Sequence, residues 1–270
     1  MFRSTRAPRP STDMPPLDPL ARYLDDTLDI ANVPDYPDAM NGVQLANIGD
    51  IERIACAVDV STSTIEGALS AGAKLLIVHH GMFWDGAAPI TGARHRRLWS
   101  LVTHDVAVYS AHLPLDIHPT FGNNALLARR LGVQPTGGFV RFKTIDVGLS
   151  GESDVPTATL AATMSALAIE NGGQLVATPF DVGRITRRWG ICTGAGASSS
   201  TLKEAEERGL DTLIVGEGPH HTAVEARELG IVVLYGGHYA TETLGVRAIA
   251  DSLAARFGLT STFIAAPTGL

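Results

Sequence analysis

The sequence predicts an α/β protein built from two similar lobes with a metal site in the crevice between them. Aliphatic runs alternate with helical patterns, which is typical of βαβ units with a parallel sheet, and this alternation occurs twice along the chain. Hydrophobic residues form 45% of the 270 residues, which is enough for a continuous core. Histidines and carboxylates follow the predicted strands, and they indicate the metal site.

The first lobe is predicted to begin with an amphipathic helix. Leu20, Tyr23, Leu24 and Leu28 recur at helical spacing after a proline-rich N-terminus. Predicted strands follow in "ERIACAVDV", "KLLIVHHG" and "VAVYSAH", with helices near Ser63–Ser70, Arg96–Thr103 and Asn124–Leu131. We expect residues 1–16 to form a flexible arm, residues 17–135 the first lobe, and residues 136–156 linking strands.

The second lobe is predicted over residues 157–270. Its strands are "LVATPF", "RWGICTGAG", "DTLIVGE" and "IVVLYGGH", and its helices lie near Leu160–Glu170, Thr201–Arg208, Ala223–Leu229 and Thr241–Arg256. "GAKLLIVHHG" of the first lobe matches "GLDTLIVGEG" of the second, and "VAVYSAHLPLD" matches "IVVLYGGHYATE". Duplicated lobes often pack about a pseudo-two-fold axis, so we expect both sets of strand ends to meet in one crevice.

Charge and composition exclude several classes of protein. The net charge of -7 disfavours general binding to nucleic acids or anionic membrane surfaces. No apolar run approaches the about 20 residues that cross a bilayer, and the N-terminus lacks the pattern of a secretory signal. The two cysteines form no disulfide framework. We therefore expect a soluble, cytoplasmic protein.

His79 and His80 end a predicted buried strand, where open parallel sheets bind their ligands. Because neighbouring side chains of a strand point to opposite faces, both rings reach one site only if the chain bends, and Gly81 favours such a bend. The competing interpretation is that one histidine caps a carbonyl group and the other packs in the core. The pair alone favours neither interpretation.

Three further candidates lie beyond other strands. His238 and Glu242 share one face if a helix starts there, although an isolated pair at this spacing is more often an ordinary surface pair. Asp116 follows a strand end, where an aspartate is commonly a helix cap or turn residue. His112 is a ligand or, as we favour, a residue that orients Asp116. His220 and His221 line the crevice or cap a helix.

Together these positions offer nitrogen and oxygen donors: His79, His80, Asp116, His238 and Glu242. Zn, Fe, Mn and Co accept such ligands, and five exceed the needs of one tetrahedral zinc ion. Two divalent ions that share a carboxylate explain the set, and such a pair promotes hydrolysis at neutral pH. "GAGASSS" lacks the G-x-G-x-x-G pattern, and Walker A and G-x-S-x-G motifs are absent from the sequence.

With these motifs the chain resembles the Nif-three-like dinuclear metal-centre family, whose bacterial members are often labelled GTP cyclohydrolase 1 type 2 homologues. "NGVQL", "AVDVSTSTIEGALSAGAKLLIVHHGMFW", "AVYSAHLPLDIHPTFGNNALLARRLG" and "YGGHYATETLGVRAIADSL" carry the resemblance. It implies metal binding by the same five residues, two α/β lobes and a homo-hexameric ring. "AHLPLD" replaces the frequent "AHTNLD", which leaves the ligands intact but alters their surroundings.

Two functions compete on this basis. The first is a metal-dependent hydrolase that uses a bridging hydroxide on a small-molecule substrate such as GTP, with His112 or His221 moving protons. The second is a ring-forming metal- or ligand-binding regulatory protein without turnover, because a fold and a metal site do not define a substrate. A metal-free scaffold fits five ligand-type residues at strand ends poorly.

Overall fold

The computed structural model describes residues 14–84 and 86–270, and two mixed β-sheets with flanking helices form its framework. The first sheet consists of Gly42–Leu45 (β1), Arg53–Asp59 (β2), Leu75–His80 (β3), Ala107–Ser110 (β4) and Thr260–Phe263 (β11), in the spatial order β1-β4-β3-β2-β11. The second consists of Gly137–Phe142 (β5), Ile145–Pro156 (β6), Val176–Ala177 (β7), Ile185–Cys192 (β8), Thr212–Val215 (β9) and Val232–Tyr235 (β10), in the order β5-β6-β8-β9-β10-β7.

The sequence did not predict the short helix Leu113–Asp116, but the other helices lie close to their predicted positions. The helices are Leu17–Leu28 (α1), Thr62–Ser70 (α2), Gly92–Thr103 (α3), Leu113–Asp116 (α4), Asn123–Leu131 (α5), Thr157–Glu170 (α6), Ser199–Glu207 (α7), His220–Glu228 (α8) and His238–Phe257 (α9). The predicted α/β class with two similar lobes is confirmed. Of the arm predicted over residues 1–16, residues 1–13 lie outside the described residues. Within the described ranges, none of the helices combines the length and apolar character that spanning a bilayer requires.

The same capping arrangement starts one helix in each lobe. After β2, Ser61 Oγ accepts a hydrogen bond from the Thr64 backbone N–H, and the Thr64 hydroxyl accepts one from the Ser61 N–H. After β8, Ser198 Oγ accepts from the Thr201 N–H. Each serine satisfies a backbone donor that the first helical turn leaves free, so "STST" and "SSST" begin α2 and α7 at equivalent places. This supports the duplication that the sequence indicates.

The order of the lobes along the chain differs from the predicted consecutive halves. Strands β5 and β6, expected as a link, belong to the second sheet, and β11 returns to the first sheet parallel to β2. Helix α9 begins beyond β10 of the second sheet, yet Val246, Ile249 and Leu253 pack against α1 in the core of the first lobe. Sequence periodicity identifies a helix or strand but not the elements that it packs against. The passage of α9 from the second lobe into the first is therefore visible only in the tertiary structure.

Helix α9 joins the two lobes because it is buried on most of its circumference. Its first turn contributes Ala240 to the core of the second lobe, while its later turns fill the core of the first lobe. Helix α9 therefore fixes the relative position of the two sheets.

Ile249 is 0% exposed, whereas Val224 on α8 is 49% exposed. We expect Ile249→Ala to lower the free energy of unfolding by about 2–5 kcal/mol, because the truncation leaves a cavity. Val224→Ala is the control and should change it by less than about 0.5 kcal/mol. Urea denaturation measures both. Equal losses in the two variants would contradict the central role of α9.

Candidate metal centre

The two histidines at the end of β3 face the same cluster of donors. His79 is fully buried, and its Nδ1 donates to the Ala111 carbonyl oxygen at 2.9 Å, which leaves Nε2 free. That Nε2 lies 3.5 Å from Asp116 Oδ2 and 3.5 Å from Glu242 Oε1. His80 Nε2 lies 3.4 Å from Glu242 Oε2. The structure thus places both rings at one site, 4.7 Å apart between centroids.

Gly81 leaves room for the close approach of another side chain. A Cβ atom there would lie 2.1 Å from Gln44 Nε2. Gln44, from the "NGVQL" motif, accepts a hydrogen bond from the Met82 N–H at 2.6 Å and donates to the Ala39 carbonyl at 3.0 Å. The glycine therefore allows Gln44 to hold the chain where it leaves the strand after His80.

Helix α9 supplies the next two donors. The helix begins at His238, so Glu242 lies one turn later on the same face, and His238 Nε2 is 3.1 Å from Glu242 Oε2. Glu242 is only 3% exposed. Gly194, in "GAGASSS", has φ +63° and passes so close that a Cβ atom would lie 2.1 Å from Glu242 Oε1. The absence of a side chain at Gly194 thus admits the carboxylate, a role that the sequence pattern did not indicate.

Asp116 and His112 are oriented by partners that the sequence did not predict. Asn123 Nδ2 donates to Asp116 Oδ1 at 2.8 Å, which leaves Oδ2 facing His79. The His112 ring does not orient Asp116, contrary to the prediction from the sequence. Instead its Nδ1 hydrogen-bonds Asp35 Oδ1 at 2.9 Å. His79, His80 and His112 each have one ring nitrogen that lies within 4.8 Å of a ring nitrogen of the other two.

The structure does not bring the other predicted pair to this cluster. His220 and His221 are exposed at the start of α8, and neither lines the cavity over the cluster. Pro219, not a histidine side chain, occupies the N-cap position. We therefore give His221 no part in the chemistry of this site.

Each of the four imidazoles that meet at the cluster is held through Nδ1. The acceptors are the Ala111 carbonyl for His79, Asp59 for His80 at 2.8 Å, Asp35 for His112 at 2.9 Å and Glu217 for His238 at 2.8 Å. Metal-binding histidines are typically oriented in this way by an outer carboxylate or carbonyl group. The arrangement directs four Nε2 atoms inward.

The outer carboxylates were missed by sequence reasoning, although two of them had a signal. Asp59 ends β2 and pairs in register with His80, so the strand ends could have indicated it. Glu217 occupies the place in "GLDTLIVGEG" that His80 occupies in the matching repeat. Asp35 lies in the turn-rich "NVPDYPDAMNG", where an aspartate is commonplace. Its role could not be distinguished from that of a turn residue.

The charges of the cluster are strongly coupled. Burial lowers the pKa of His79, but the carboxylates of Asp116 and Glu242 outweigh it and raise that pKa to about 10. Burial also lowers the pKa of His238, but Glu242 and Glu217 outweigh it and raise that pKa to about 9. Burial raises the pKa of Glu242, yet His79 and His80 hold it well below the usual range. The carboxylate of Glu242 thus stays charged and attracts cations.

The donor atoms fit a metal ion. Among the described residues, His79 Nε2 and Glu242 Oε2 are buried without a hydrogen-bond partner, which is costly unless another group satisfies them. Imidazole nitrogens and carboxylate oxygens suit Zn, Fe, Mn or Co. Cys192 lies beside the cluster, but burial and the nearby carboxylates raise its pKa to about 12, so the thiol stays protonated and supplies no thiolate.

A cavity of about 360 Å³ opens over the cluster. His80 and His112 line it from the first lobe, and Thr193 and Val140 line it from the second. Glu242 and Asp116 also reach its surface. A small molecule in this cavity would contact both lobes and the donor cluster together.

We expect the melting temperature of the metal-free protein to fall between about pH 7 and about pH 9. His79 and His238 have folded pKa values of about 10 and about 9, above the ordinary 6.5. In this window the folded chain binds more protons than the unfolded chain does. The stabilisation by the two protonated imidazoles is therefore full below pH 6.5 and is lost as the pH rises. The metal-loaded protein should show a smaller fall, because the cation replaces the protons. A flat profile for the metal-free protein would contradict this.

Glu217→Gln should weaken metal affinity by about 10–100-fold, because a neutral amide orients and polarises His238 less than a carboxylate does. Glu228→Gln, an exposed position on α8, is the matched control and should leave affinity unchanged. Competition with a chromophoric chelator measures both variants. Unaltered affinity in Glu217→Gln would show that the Glu217 contact is dispensable.

Named proteins of known sequence are similar to this chain over most of its length. A protein of Halobacterium salinarum named GTP cyclohydrolase 1 type 2 homolog is 43% identical over 247 residues, covering 90% of this chain and 96% of that protein. A protein of Deinococcus radiodurans with the same name is 36% identical over 260 residues, covering 94% of each.

Solved structures are similar over nearly the whole chain. A protein of Thermus thermophilus, TTHA1606, has a TM-score of 0.80 at 34% identity and covers 95% of this chain and 100% of that one. The protein ybgI, described as of unknown function, has a TM-score of 0.82 at 34% identity and covers 93% and 98%. The profile of the Duf34/NIF3 (NGG1p interacting factor 3) family matches residues 17–268. The resemblance seen in the motifs is confirmed, and the chain belongs to the Duf34/NIF3 family.

Proposed function

We propose that this protein binds two divalent metal ions in the cluster and hydrolyses a small molecule in the cavity above it. The observation that carries the proposal is the convergence of four imidazole Nε2 atoms and two carboxylates beneath an open cavity. Each imidazole is held from outside, so the donors are oriented before any ligand arrives. Preorganised donors of this kind are expected of a catalytic or binding site.

The position of Glu242 supports two ions. Its Oε1 faces His79 at 3.5 Å, whereas its Oε2 faces His80 at 3.4 Å and His238 at 3.1 Å. Because its two oxygens face different imidazoles, Glu242 would help to hold both ions. His79 and Asp116 would complete one set of ligands, and His80 and His238 the other. The set exceeds what a single tetrahedral ion requires.

When bound, two divalent ions would supply hydrolytic chemistry by lowering the pKa of bound water and polarising substrate oxygens. The chain itself must then move protons, and we assign this to His112, which lines the cavity. Burial raises the pKa of Asp35, but hydrogen bonds from His112 and Asn41 bring it below its usual value. A charged Asp35 orients the His112 ring through the hydrogen bond to Nδ1.

The name shared by the relatives, GTP cyclohydrolase 1 type 2 homolog, makes a purine nucleotide such as GTP the first substrate to test. The alternative without catalysis, a metal- or ligand-binding regulatory protein, predicts the same metal content and no turnover. A panel of nucleotides, small amides and phosphoesters separates the two, since only the hydrolase releases product.

Glu242→Gln should lose both bound metal and turnover while the protein stays folded, because the amide neither bridges cations nor carries their counter-charge. Glu207→Gln, an exposed residue of α7, is the matched control and should retain both. Elemental analysis, circular dichroism and product assays measure these outcomes. Full turnover in Glu242→Gln would refute the proposal.

His112→Gln should retain bound metal but lower kcat by roughly 10²–10⁴-fold, the range typical of a removed general acid or base. Loss of metal in this variant would instead identify His112 as a ligand. Metal-loaded wild-type protein that turns over no member of the panel would favour the regulatory alternative.

A further inference from the structure

We propose that Tyr36 and Phe142, one from each lobe, form a ring-binding subsite at the mouth of the metal-site cavity. The subsite would select substrates that contain a flat aromatic ring with an anionic substituent. The inference rests on the proposed function, because it names the substrate class of the same cavity. It concerns residues outside the donor cluster.

The two rings are in contact and line the cavity. Their centroids are 4.7 Å apart with a 45° angle between the planes. Both side chains line the same space as His80, His112 and Glu242. Tyr36 is 49% exposed, which is unusual for an aromatic residue that only fills a core. An exposed aromatic surface in a polar cavity offers a stacking platform for a planar ring.

The aromatic pair is fixed relative to the metal cluster. Lys143 Nζ donates to the Asp35 carbonyl oxygen at 2.6 Å and lies 5.0 Å from the centroid of the Phe142 ring. The side chain of the same Asp35 holds His112, whose ring centroid is 6.1 Å from that of Tyr36. One loop of the first lobe thus positions both the proposed proton carrier and one wall of the subsite.

The strand that carries Phe142 is strained beside the cavity. Val140 has φ +61°, which is rare for a β-branched residue. Glu204 of α7 stabilises this conformation, since its two oxygens accept hydrogen bonds from the Val140 and Arg141 N–H groups at 3.1 Å each. Strain of this kind persists where the surroundings enforce it, and it is concentrated at functional sites. Here it shapes the wall that ends at Phe142.

Arg141 supplies the charge preference. Its side chain is largely exposed and pairs with Asp146 at 3.1 Å, and the residue is part of the lining of the same cavity. Exposed ion pairs contribute little to stability, so the guanidinium can exchange this partner for an anionic ligand at small cost. Guanidinium groups suit phosphate and carboxylate groups in particular. A ring on the aromatic pair would therefore carry its anionic group toward Arg141.

The test measures binding by the full-length, metal-loaded protein with isothermal titration calorimetry. GMP, AMP and UMP are the ring-containing probes, and ribose 5-phosphate offers the same phosphate without a base. We expect at least one nucleotide to bind about tenfold or more tightly than ribose 5-phosphate. Phe142→Leu and Tyr36→Leu should each remove most of that difference and leave ribose 5-phosphate binding unchanged.

Phe83→Leu is the matched control, because Phe83 lines a separate cavity beside Arg94. Phe83→Leu should change neither the affinity for nucleotides nor the affinity for ribose 5-phosphate. Tyr36 is half-exposed, so Tyr36→Leu remains informative if Phe142→Leu fails to fold. The proposal is overturned if no nucleotide binds more tightly than ribose 5-phosphate, or if the two variants leave nucleotide affinity unchanged or weaken all probes equally.

The readout separates this inference from the proposed function, because binding requires no turnover. Nucleotide binding that depends on Tyr36 and Phe142, in a protein without activity, would retain the subsite and refute the hydrolase. Hydrolysis of a nucleotide that is insensitive to both variants would retain the hydrolase and refute the subsite.

Discussion

The buried carboxylate of Glu242 is the constraint on which the rest of the site depends. It lies among the imidazoles of His79, His80 and His238, and its charge is maintained in spite of burial by those neighbours. An ionised carboxylate in such a place must be compensated, either by protons on the imidazoles or by cations. The need for compensation explains why so many donors converge at this point.

The fold places residues of both lobes around the carboxylate of Glu242. Helix α9 starts at the second sheet and packs into the core of the first, so its opening turn lies in the crevice. The end of β3 approaches from the other side with His79 and His80. Because α9 packs into a core cluster of each lobe, it connects the crevice to both cores and gives the donors a rigid support.

A second group of side chains orients the donors through hydrogen bonds. Asp35, Asp59 and Glu217 each hold one imidazole, and Asn123 holds Asp116. This group also connects the cluster to its surroundings, since the loop that carries Asp35 contacts the hairpin of the second lobe through Lys143. Changes in the cavity wall and in the donor geometry are therefore linked through a few side chains.

The sequence by itself determined the α/β class, the duplication and most helices and strands, because periodicity and turn residues act within one element. It also indicated His79, His80, Asp116, His238 and Glu242, since strand ends and helical spacing set local geometry. Only the tertiary structure decided that β11 joins the first sheet, that Asp35 rather than Asp116 meets the His112 ring, and that His221 faces away. These contacts join residues far apart in the chain, where packing alone selects the partner.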